Sequence, residues 1–226
     1  MSNPVPPPSA LREFATPRLH DEAFACLEQL YPRGAGSVLD LGAGTGAWSD
    51  RLLRHGYRGV EALDLNPLEF KGVAQFVPGD LNQDFSRQLP GKKYDLITAL
   101  EVIEHLENPT HFLRQCAGLL APGGTLVITT PNIESMPGRL KFLLSGRLRH
   151  FDGQGDKTHI APIDPFLLAR LAARAGLAVS ERRPLVRYWY DRRPLFLALA
   201  GLLAPFAGGT PYGACHLFVL RRTGNA

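Results

Sequence analysis

Cysteine is scarce in this sequence of 226 residues, which has only three, and neither sign of charge is in strong excess. Cys26, Cys116 and Cys215 are far apart, odd in number and form no C-x-x-C pair, which argues against a disulfide framework or a zinc finger. This usage favours a reducing compartment. The formal net charge of +4 permits contact with an anionic partner but does not require one.

Long apolar runs are also missing. The longest, residues 194–209, is shorter than the about 20 residues that a bilayer-spanning helix needs, and it contains the helix-breaking Pro205. We interpret it as a buried helix, with a surface that touches membrane or an apolar substrate as the alternative. The proline- and serine-rich N-terminus has no apolar core, which argues against a signal peptide or an anchor and predicts a flexible arm over residues 1–16.

Alternating strand and helix patterns fill the rest of the chain, which we assign to a single domain over residues 17–226. Five buried strands are predicted at SVLDL, GVEALDL, VAQFVPGD, YDLITAL and TLVITTP, mostly separated by segments of helical periodicity. Two further strands are predicted at LAVSERRPLV and ACHLFVLRR, and helices are predicted over Leu19–Leu30, from Pro109 and from Asp164–Pro165. Regular alternation of strands and helices is typical of a doubly wound α/β fold with a parallel sheet.

A glycine loop and three acids mark the expected ligand site. In such sheets ligands bind beyond the carboxyl ends of the strands, where the strand order reverses, and the loop Gly42-x-Gly44-x-Gly46 follows the first strand. The acids at the ends of the first three strands are Asp40, Asp64 and Asp80. They make the crevice anionic, so a dinucleotide pyrophosphate would meet like charges at a cost on the order of a few kcal/mol.

A positively charged ligand removes this conflict. S-adenosylmethionine carries an ammonium and a sulfonium group and no phosphate. Its ammonium would lie near Asp40 and the loop carbonyls. Asp64 would accept hydrogen bonds from both ribose hydroxyls, and Asp80 would accept one from the adenine amino group. Two alternatives stay open. The loop also satisfies the loose fingerprint of an NAD(P)-dependent oxidoreductase, and a non-catalytic cofactor-binding partner subunit would have the same crevice.

The ordered set VLDLGAGTG, ALDLNP, FVPGDLN, YDLITALEVIEHLENP and LLAPGGTLVITTPN resembles class I S-adenosylmethionine-dependent methyltransferases over residues 38–132. The resemblance implies a Rossmann-like sheet of seven strands whose last strand is antiparallel, which suits ACHLFVLRR. It also implies methyl transfer, and it gives a set of candidate cofactor-binding residues. These are Asp40, Gly42, Ala43, Gly44, Gly46, Asp64, Leu65, Asp80, Leu81, Leu100 and Glu101.

The segment EVIEH carries the candidate catalytic chemistry. Glu101, Glu104 and His105 are spaced i, i+3 and i+4 and would share one face of a helix. The segment resembles that of ubiquinone-biosynthesis O-methyltransferases and of small-RNA 2′-hydroxyl methyltransferases, in which Glu-x-x-Glu-His and a later His hold a divalent ion. The resemblance implies that these three residues and His159 bind Mg²⁺ or a similar ion; Mn²⁺ or Zn²⁺ would also suit the ligands. His105 and His159 are the candidate catalytic residues, with general-base catalysis without metal as the alternative.

An insertion over residues 133–163 is predicted to form a helical lid on the acceptor site. Its basic amphipathic pattern predicts an interfacial element, so we expect peripheral membrane contact through 136–149 and 194–207 and a cytoplasmic location, at the inner face of the membrane. The segment GDKTHIAPIDPFLLARLAARAGL resembles methyltransferases of sugar and polysaccharide pathways. We therefore rank a sugar or glycan hydroxyl first as acceptor, ahead of a lipid-linked glycan or a quinol-like ring.

A basic aromatic patch near the C-terminus is the remaining charged feature. Aromatic rings among arginines can stack bases, but they more often form a solvated edge or a substrate rim. The chain also has no Asn-Pro-Pro-Tyr motif after strand four, so nucleic acid is not the expected acceptor. The patch consists of Arg182, Arg183, Arg187, Tyr188, Trp189, Tyr190, Arg192 and Arg193.

Overall fold

A computed structural model describes residues 11–31, 36–186 and 194–224. The strands are β1 (Val38–Leu41), β2 (Val60–Asp64), β3 (Gln75–Pro78), β4 (Tyr94–Leu100), β5 (Leu120–Pro131), β6 (Leu177–Leu185) and β7 (Cys215–Arg222). The helices are α1 (Leu19–Leu30), α2 (Ala47–Arg54), α3 (Pro109–Leu119), α4 (Met136–Ser145), α5 (Pro165–Arg174) and α6 (Pro194–Leu203). Short 3-10 turns cover Phe85–Gln88, Ile103–His105 and Ala204–Phe206.

The seven strands form one sheet in the order β3-β2-β1-β4-β5-β7-β6. Strands β1 to β5 pair in parallel, and β7 lies antiparallel between β5 and β6. The predicted doubly wound sheet of seven strands with an antiparallel last strand is confirmed. The order reverses between β1 and β4, which places the carboxyl ends of β1, β2 and β4 around one crevice.

Helices cover both faces of the sheet, and each face has its own apolar core. One core includes Phe112 and Leu168, which lie on α3 and α5, and the other includes Phe24 and Trp48, which lie on α1 and α2. Neighbouring strand residues alternate between the two cores, as a period of two requires. Each fully buried Leu or Phe contributes about 1.5–3 kcal/mol relative to an exposed one.

Three helices begin with a polar cap and have proline at the first or, in α4, the second helical position. The Asn108 side chain accepts from the His111 amide, the Ser135 hydroxyl accepts from Gly138, and Asp164 accepts from the first-turn amides of α5. A proline at the first helical position has no amide to leave unpaired, and its fixed φ suits a helix. The predicted helix starts at Pro109 and at Asp164–Pro165 therefore agree with the structure.

Helix α6 differs from its expected environment. The run 194–209 was predicted to be a buried helix, but Leu195 and Leu202 on α6 are 86% and 69% exposed. The helix packs mainly on α4 of the insertion through a small core that includes Leu140 and Ala200. None of the helices in the described ranges is long and apolar enough to cross a lipid bilayer.

Candidate active site

The glycine loop connects β1 to α2 and is held against the end of β2. The amides of Gly42 and Ala43 donate to the Leu63 carbonyl at 2.8 and 3.3 Å. Gly42 has φ 73°, and a Cβ there would lie 2.5 Å from the Val102 side chain, so both the turn and the packing require glycine. Gly46 has φ 88° and starts α2. The loop amides therefore lie at the crevice predicted from the sequence.

Asp40 lies in the sheet directly behind this loop and is 2% exposed. The Ser49 hydroxyl donates to its carboxylate at 2.5 Å, and the Thr98 hydroxyl donates at 3.3 Å. Burial raises the pKa of Asp40 to about 7, against the two hydroxyl bonds, which lower it, and the nearby Asp64 charge raises it further. The group therefore changes charge near neutral pH.

Asp64 is the last residue of β2 and Asp80 follows β3, so both lie at the same edge of the sheet. The Asp64 carboxylate accepts from the Gly44 amide at 2.8 Å, which joins the acid directly to the glycine loop. The Gly79 amide donates to the Asp64 carbonyl at 2.9 Å, so the residue before Asp80 is bonded to the backbone of Asp64. The neighbouring candidates differ in exposure: Leu65 is exposed, Leu81 packs on the core, and Leu100 lines the cavity at the loop.

Residues 11–16, which composition assigned to a flexible arm, lie against the glycine loop. The Thr45 hydroxyl donates to the Arg12 carbonyl at 2.8 Å, and the Thr16 hydroxyl contacts Glu101 at 3.4 Å. The Phe14 ring lies 3.1 Å from the position of a Cβ on Gly44. The cavity between this segment and Asp40 is about 30 Å³, whereas small-molecule sites usually hold 300–1,000 Å³. The segment therefore leaves little open volume beside the loop in this structure.

Within EVIEH, Ile103–His105 form a 3-10 turn, whereas the i, i+3, i+4 spacing predicts an α-helical turn from Glu101. Glu101 has φ 54°, and its amide donates to the Thr129 carbonyl and hydroxyl of the neighbouring β5. Its carboxylate lies against Thr16, Thr129 and the Cys215 sulfur. Burial raises the pKa of Glu101 to about 7. The predicted shared face is thus corrected: Glu101 turns toward β5 and β7.

Glu104 is fully buried, and neither of its carboxylate oxygens has a hydrogen-bond partner among the described residues. Burial and the charge of Glu101 hold the pKa of Glu104 well above its usual range. The segment after the insertion reaches the same place, because the amides of Ile160 and Ala161 both donate to the Glu104 carbonyl at 2.9 Å. This anchor brings a second histidine to the turn.

The His105 and His159 rings pack edge to face, with their centroids 4.7 Å apart. One ligand atom each of Glu104, His105 and His159 lies within 4.8 Å of the others. Three of the four predicted metal ligands are therefore together, and Glu101 lies outside the group. A buried carboxylate without partners beside two imidazoles is a donor set that fits a divalent ion such as Mn²⁺ or Zn²⁺.

Much of the basic aromatic patch, residues 187–193, lies outside the described residues. Of its described members, Arg182 pairs with Glu134 and Arg183 pairs with Glu181. Both arginines are thus engaged in ion pairs along β6 and the start of the insertion.

The strand order, the antiparallel β7 and the glycine loop after β1 define the class I S-adenosylmethionine-dependent methyltransferases. Residues 11–182 match the family model described as a methyltransferase domain, and the chain belongs to that family.

Relatives and solved structures agree with this class. A ubiquinone biosynthesis O-methyltransferase from Xanthomonas euvesicatoria is 38% identical over 154 residues, which are 64% of this chain and 63% of that relative. The chain thus aligns with less than two thirds of that relative's length. A SAM-dependent methyltransferase from Archaeoglobus fulgidus shares the fold with a TM-score of 0.65 at 18% identity, covering 88% of this chain and 92% of that one. Magnesium protoporphyrin IX methyltransferase from Synechocystis, solved with bound SAH, has a TM-score of 0.58 at 15% identity, covering 91% and 83%. The family and fold make S-adenosylmethionine the cofactor.

Proposed function

We propose that this protein transfers the methyl group of S-adenosylmethionine to a hydroxyl oxygen of a small molecule. The observation that carries the proposal is the group of Glu104, His105 and His159 at the end of β4, next to the cofactor crevice. The relative from Xanthomonas is named for O-methylation in ubiquinone biosynthesis, which supports the same chemistry. The comparisons give no support to an NAD(P)-dependent oxidoreductase.

The crevice would hold the cofactor in three places. Asp64 would accept the ribose hydroxyls, since its carboxylate lies at the glycine loop beside the end of β2. Asp40 would attract the ammonium from behind the loop, and Asp80 would accept from the adenine amino group. Carboxylates suit a ligand that brings hydroxyl and amino donors and a positive charge.

The chain's own groups would then supply the proton transfer. In methyl transfer the acceptor oxygen forms a bond to the methyl carbon while the carbon–sulfur bond breaks, and the neutral thioether S-adenosylhomocysteine leaves. A neutral hydroxyl is a poor nucleophile, so its proton must go to a base. His105 or His159 would take that proton at a ring nitrogen, because burial and the neighbouring His159 hold the pKa of His105 below its usual range and keep its ring neutral.

As the alternative to this general base, we propose that Glu104, His105 and His159 hold a divalent ion, which when bound would lower the pKa of the acceptor hydroxyl in place of a histidine base. We expect about one equivalent of Mn²⁺ to bind in calorimetry, and Glu104→Gln to weaken that binding at least tenfold. Glu107→Gln, an exposed acid on the same loop, is the matched control and is expected to bind as wild type. If the wild type does not bind Mn²⁺, the metal proposal is refuted and general-base catalysis by histidine is the route that stays.

The acceptor is best sought among hydroxylated rings. The sequence ranked a sugar or glycan first, but the comparisons lend that class no support, whereas the named relative acts in ubiquinone biosynthesis. With 3,4-dihydroxybenzoate as the probe acceptor, we expect mass spectrometry to detect two products, S-adenosylhomocysteine and a ring methyl ether. Methyl glucoside is expected to remain unmethylated. Methylation of nitrogen or carbon, or no turnover with any hydroxyl compound by protein that binds S-adenosylmethionine, would refute the proposal.

The charge of Asp40 predicts a pH dependence of cofactor binding. Only the carboxylate attracts the ammonium, and the pKa of Asp40 is about 7, so the affinity for S-adenosylhomocysteine is expected to rise between pH 6 and pH 7.5. Asp40→Asn is expected to weaken binding and to remove this dependence in calorimetric titrations. Wild-type affinity that is flat across this range would contradict the role of Asp40.

The same shift predicts the opposite trend in the stability of the free protein. The folded pKa of Asp40 lies above its unfolded value, so the folded state binds the proton more tightly and this group's contribution is lost as pH rises from about 4 to 7. Asp40→Asn is therefore expected to match the wild-type Tm at pH 4 and to exceed it by a few degrees at pH 8.

We also propose that the apolar face of α4 and α6 contacts a membrane surface. Large apolar side chains are exposed on α4, on α6 and on the 3-10 turn that follows α6; they are Phe142, Leu143, Leu144, Leu195, Leu199, Leu202, Leu203 and Phe206. Lys141 pairs with Asp152 and Arg139 bonds backbone carbonyls, so the basic residues of α4 are partly engaged and the apolar side chains carry the proposal. Exposed patches of this kind mark interaction sites.

Vesicle flotation tests this face. We expect wild-type protein to float with vesicles of phosphatidylglycerol and phosphatidylethanolamine, and the triple variant Leu143→Gln, Leu144→Gln, Leu202→Gln to stay in the soluble fraction. Leu68→Gln, an equally exposed leucine after β2, is the control and is expected to float. Equal behaviour of the wild type and the triple variant would refute the membrane contact.

A further inference from the structure

Nδ1 of His105 and Nδ1 of His159 each lie within hydrogen-bond distance of an oxygen. His159 Nδ1 lies 3.0 Å from the carbonyl oxygen of His150. A carbonyl only accepts, so Nδ1 of His159 carries the hydrogen. In the neutral ring the other nitrogen, Nε2, then carries the lone pair.

The partner of His105 is a hydroxyl, whose direction is decided by a second contact. Thr158 Oγ1 lies 2.8 Å from His105 Nδ1 and 2.6 Å from Asp156 Oδ1. The hydrogen bonds from the Thr158 hydroxyl and amide hold the pKa of Asp156 below its usual range, so the carboxylate is ionised and only accepts. The single hydroxyl hydrogen of Thr158 is thus used on Asp156, and its oxygen accepts from His105 Nδ1.

The backbone holds this arrangement in place. The Thr158 amide donates to the same Asp156 oxygen at 2.8 Å, so both donors of Thr158 point to one carboxylate. The following residues Ile160 and Ala161 are bonded to the Glu104 carbonyl. The loop that carries Thr158 is therefore tied at one end to the turn that carries His105.

We propose that Thr158 and Asp156 are positioning residues that fix the Nδ1–H tautomer of His105. His105 and His159 then both present Nε2 as the nitrogen open to a proton or a metal ion. Partners of this kind orient a ring and raise its basicity, and their removal typically costs ten- to a hundredfold in activity or metal affinity. The inference deepens the proposed function, since His105 is the group that Thr158 would serve.

The tautomer is measured directly by NMR of purified protein labelled with ¹⁵N at histidine, at pH 8 and without substrate. His105 is assigned by its loss in His105→Gln. We expect a pyrrole-like Nδ1 and a pyridine-like Nε2 in the wild type, the same signature in Thr158→Ser, and averaged nitrogen shifts in Thr158→Val. An Nε2–H signature in the wild type, or an unchanged spectrum in Thr158→Val, would overturn the proposal whether or not methyl transfer is found.

Kinetics give the second readout. Thr158→Val is expected to lower kcat about tenfold with an unchanged KM for S-adenosylmethionine, and Thr158→Ser to restore most of it. Thr223→Val removes an exposed hydroxyl bonded to the Gly176 carbonyl and controls for general loss of a threonine hydroxyl. Equal loss in Thr158→Ser and Thr158→Val would point to packing instead of tautomer control.

Discussion

Replacing His105 by alanine is expected to lower kcat by two to three orders of magnitude, while the Kd for S-adenosylmethionine stays within about twofold of wild type. A positioned general base typically contributes 10²–10⁴-fold, and His105 and His159 together give the site its open ring nitrogens. The Asp40 cavity is built by other residues, so cofactor binding does not depend on the ring. Single-turnover methyl transfer and calorimetry measure the two quantities separately.

His111→Ala is the matched control, because His111 lies on α3 and pairs with Asp84 away from the crevice. It is expected to keep the wild-type kcat. A wild-type kcat in His105→Ala would mean that the acceptor proton leaves without this imidazole. The remaining alternative, a non-catalytic cofactor-binding subunit, instead predicts cofactor binding without methyl transfer in the wild type.

Replacing Asp64 by alanine is expected to weaken S-adenosylmethionine binding about a hundredfold, or roughly 2.7 kcal/mol. Each hydrogen bond to a charged group is worth about 1.5–3 kcal/mol, and Asp64 would make two to the ribose. The variant also removes the acceptor of the Gly44 amide, which in the wild type donates to the Asp64 carboxylate at 2.8 Å. Asp64→Asn keeps an oxygen for that amide and one hydroxyl, so we expect a smaller loss of about tenfold.

Asp84→Ala removes a surface acid that pairs with Arg87, and it serves as the control with unchanged cofactor affinity. Calorimetric titration with S-adenosylhomocysteine measures all three variants without turnover. Equal affinity of Asp64→Ala and wild type would show that the ribose is held elsewhere, and the proposed orientation of the cofactor would then be wrong.

The fold was predictable because its signals are local. Apolar periodicity predicted the helix Leu19–Leu30 with the bounds that the structure has, and the caps at Asn108 and Asp164 are short-range patterns. The glycine loop and the acid at the end of β2 were predictable for the same reason. Each of these features depends on residues within a few positions along the chain.

The parts of the site that were not predicted depend on distant residues. The turn at Glu101 is set by hydrogen bonds to Thr129 of β5, so spacing alone gave the wrong shared face. Residues 11–16 lie on the glycine loop through contacts such as Phe14 with Gly44, which composition does not reveal. The bond from His105 to Thr158 joins residues 53 positions apart. No local pattern in the sequence marks that pair.

The cofactor of the crevice is tested most simply by calorimetric titration of the wild-type protein with S-adenosylmethionine, S-adenosylhomocysteine and NAD under the same conditions. The anionic crevice formed by Asp40, Asp64 and Asp80 predicts one site for each of the two adenosyl sulfur compounds and no heat from NAD. Asp64→Ala should weaken both in parallel. Binding of NAD with no heat from S-adenosylmethionine would show that the crevice is not a site for S-adenosylmethionine.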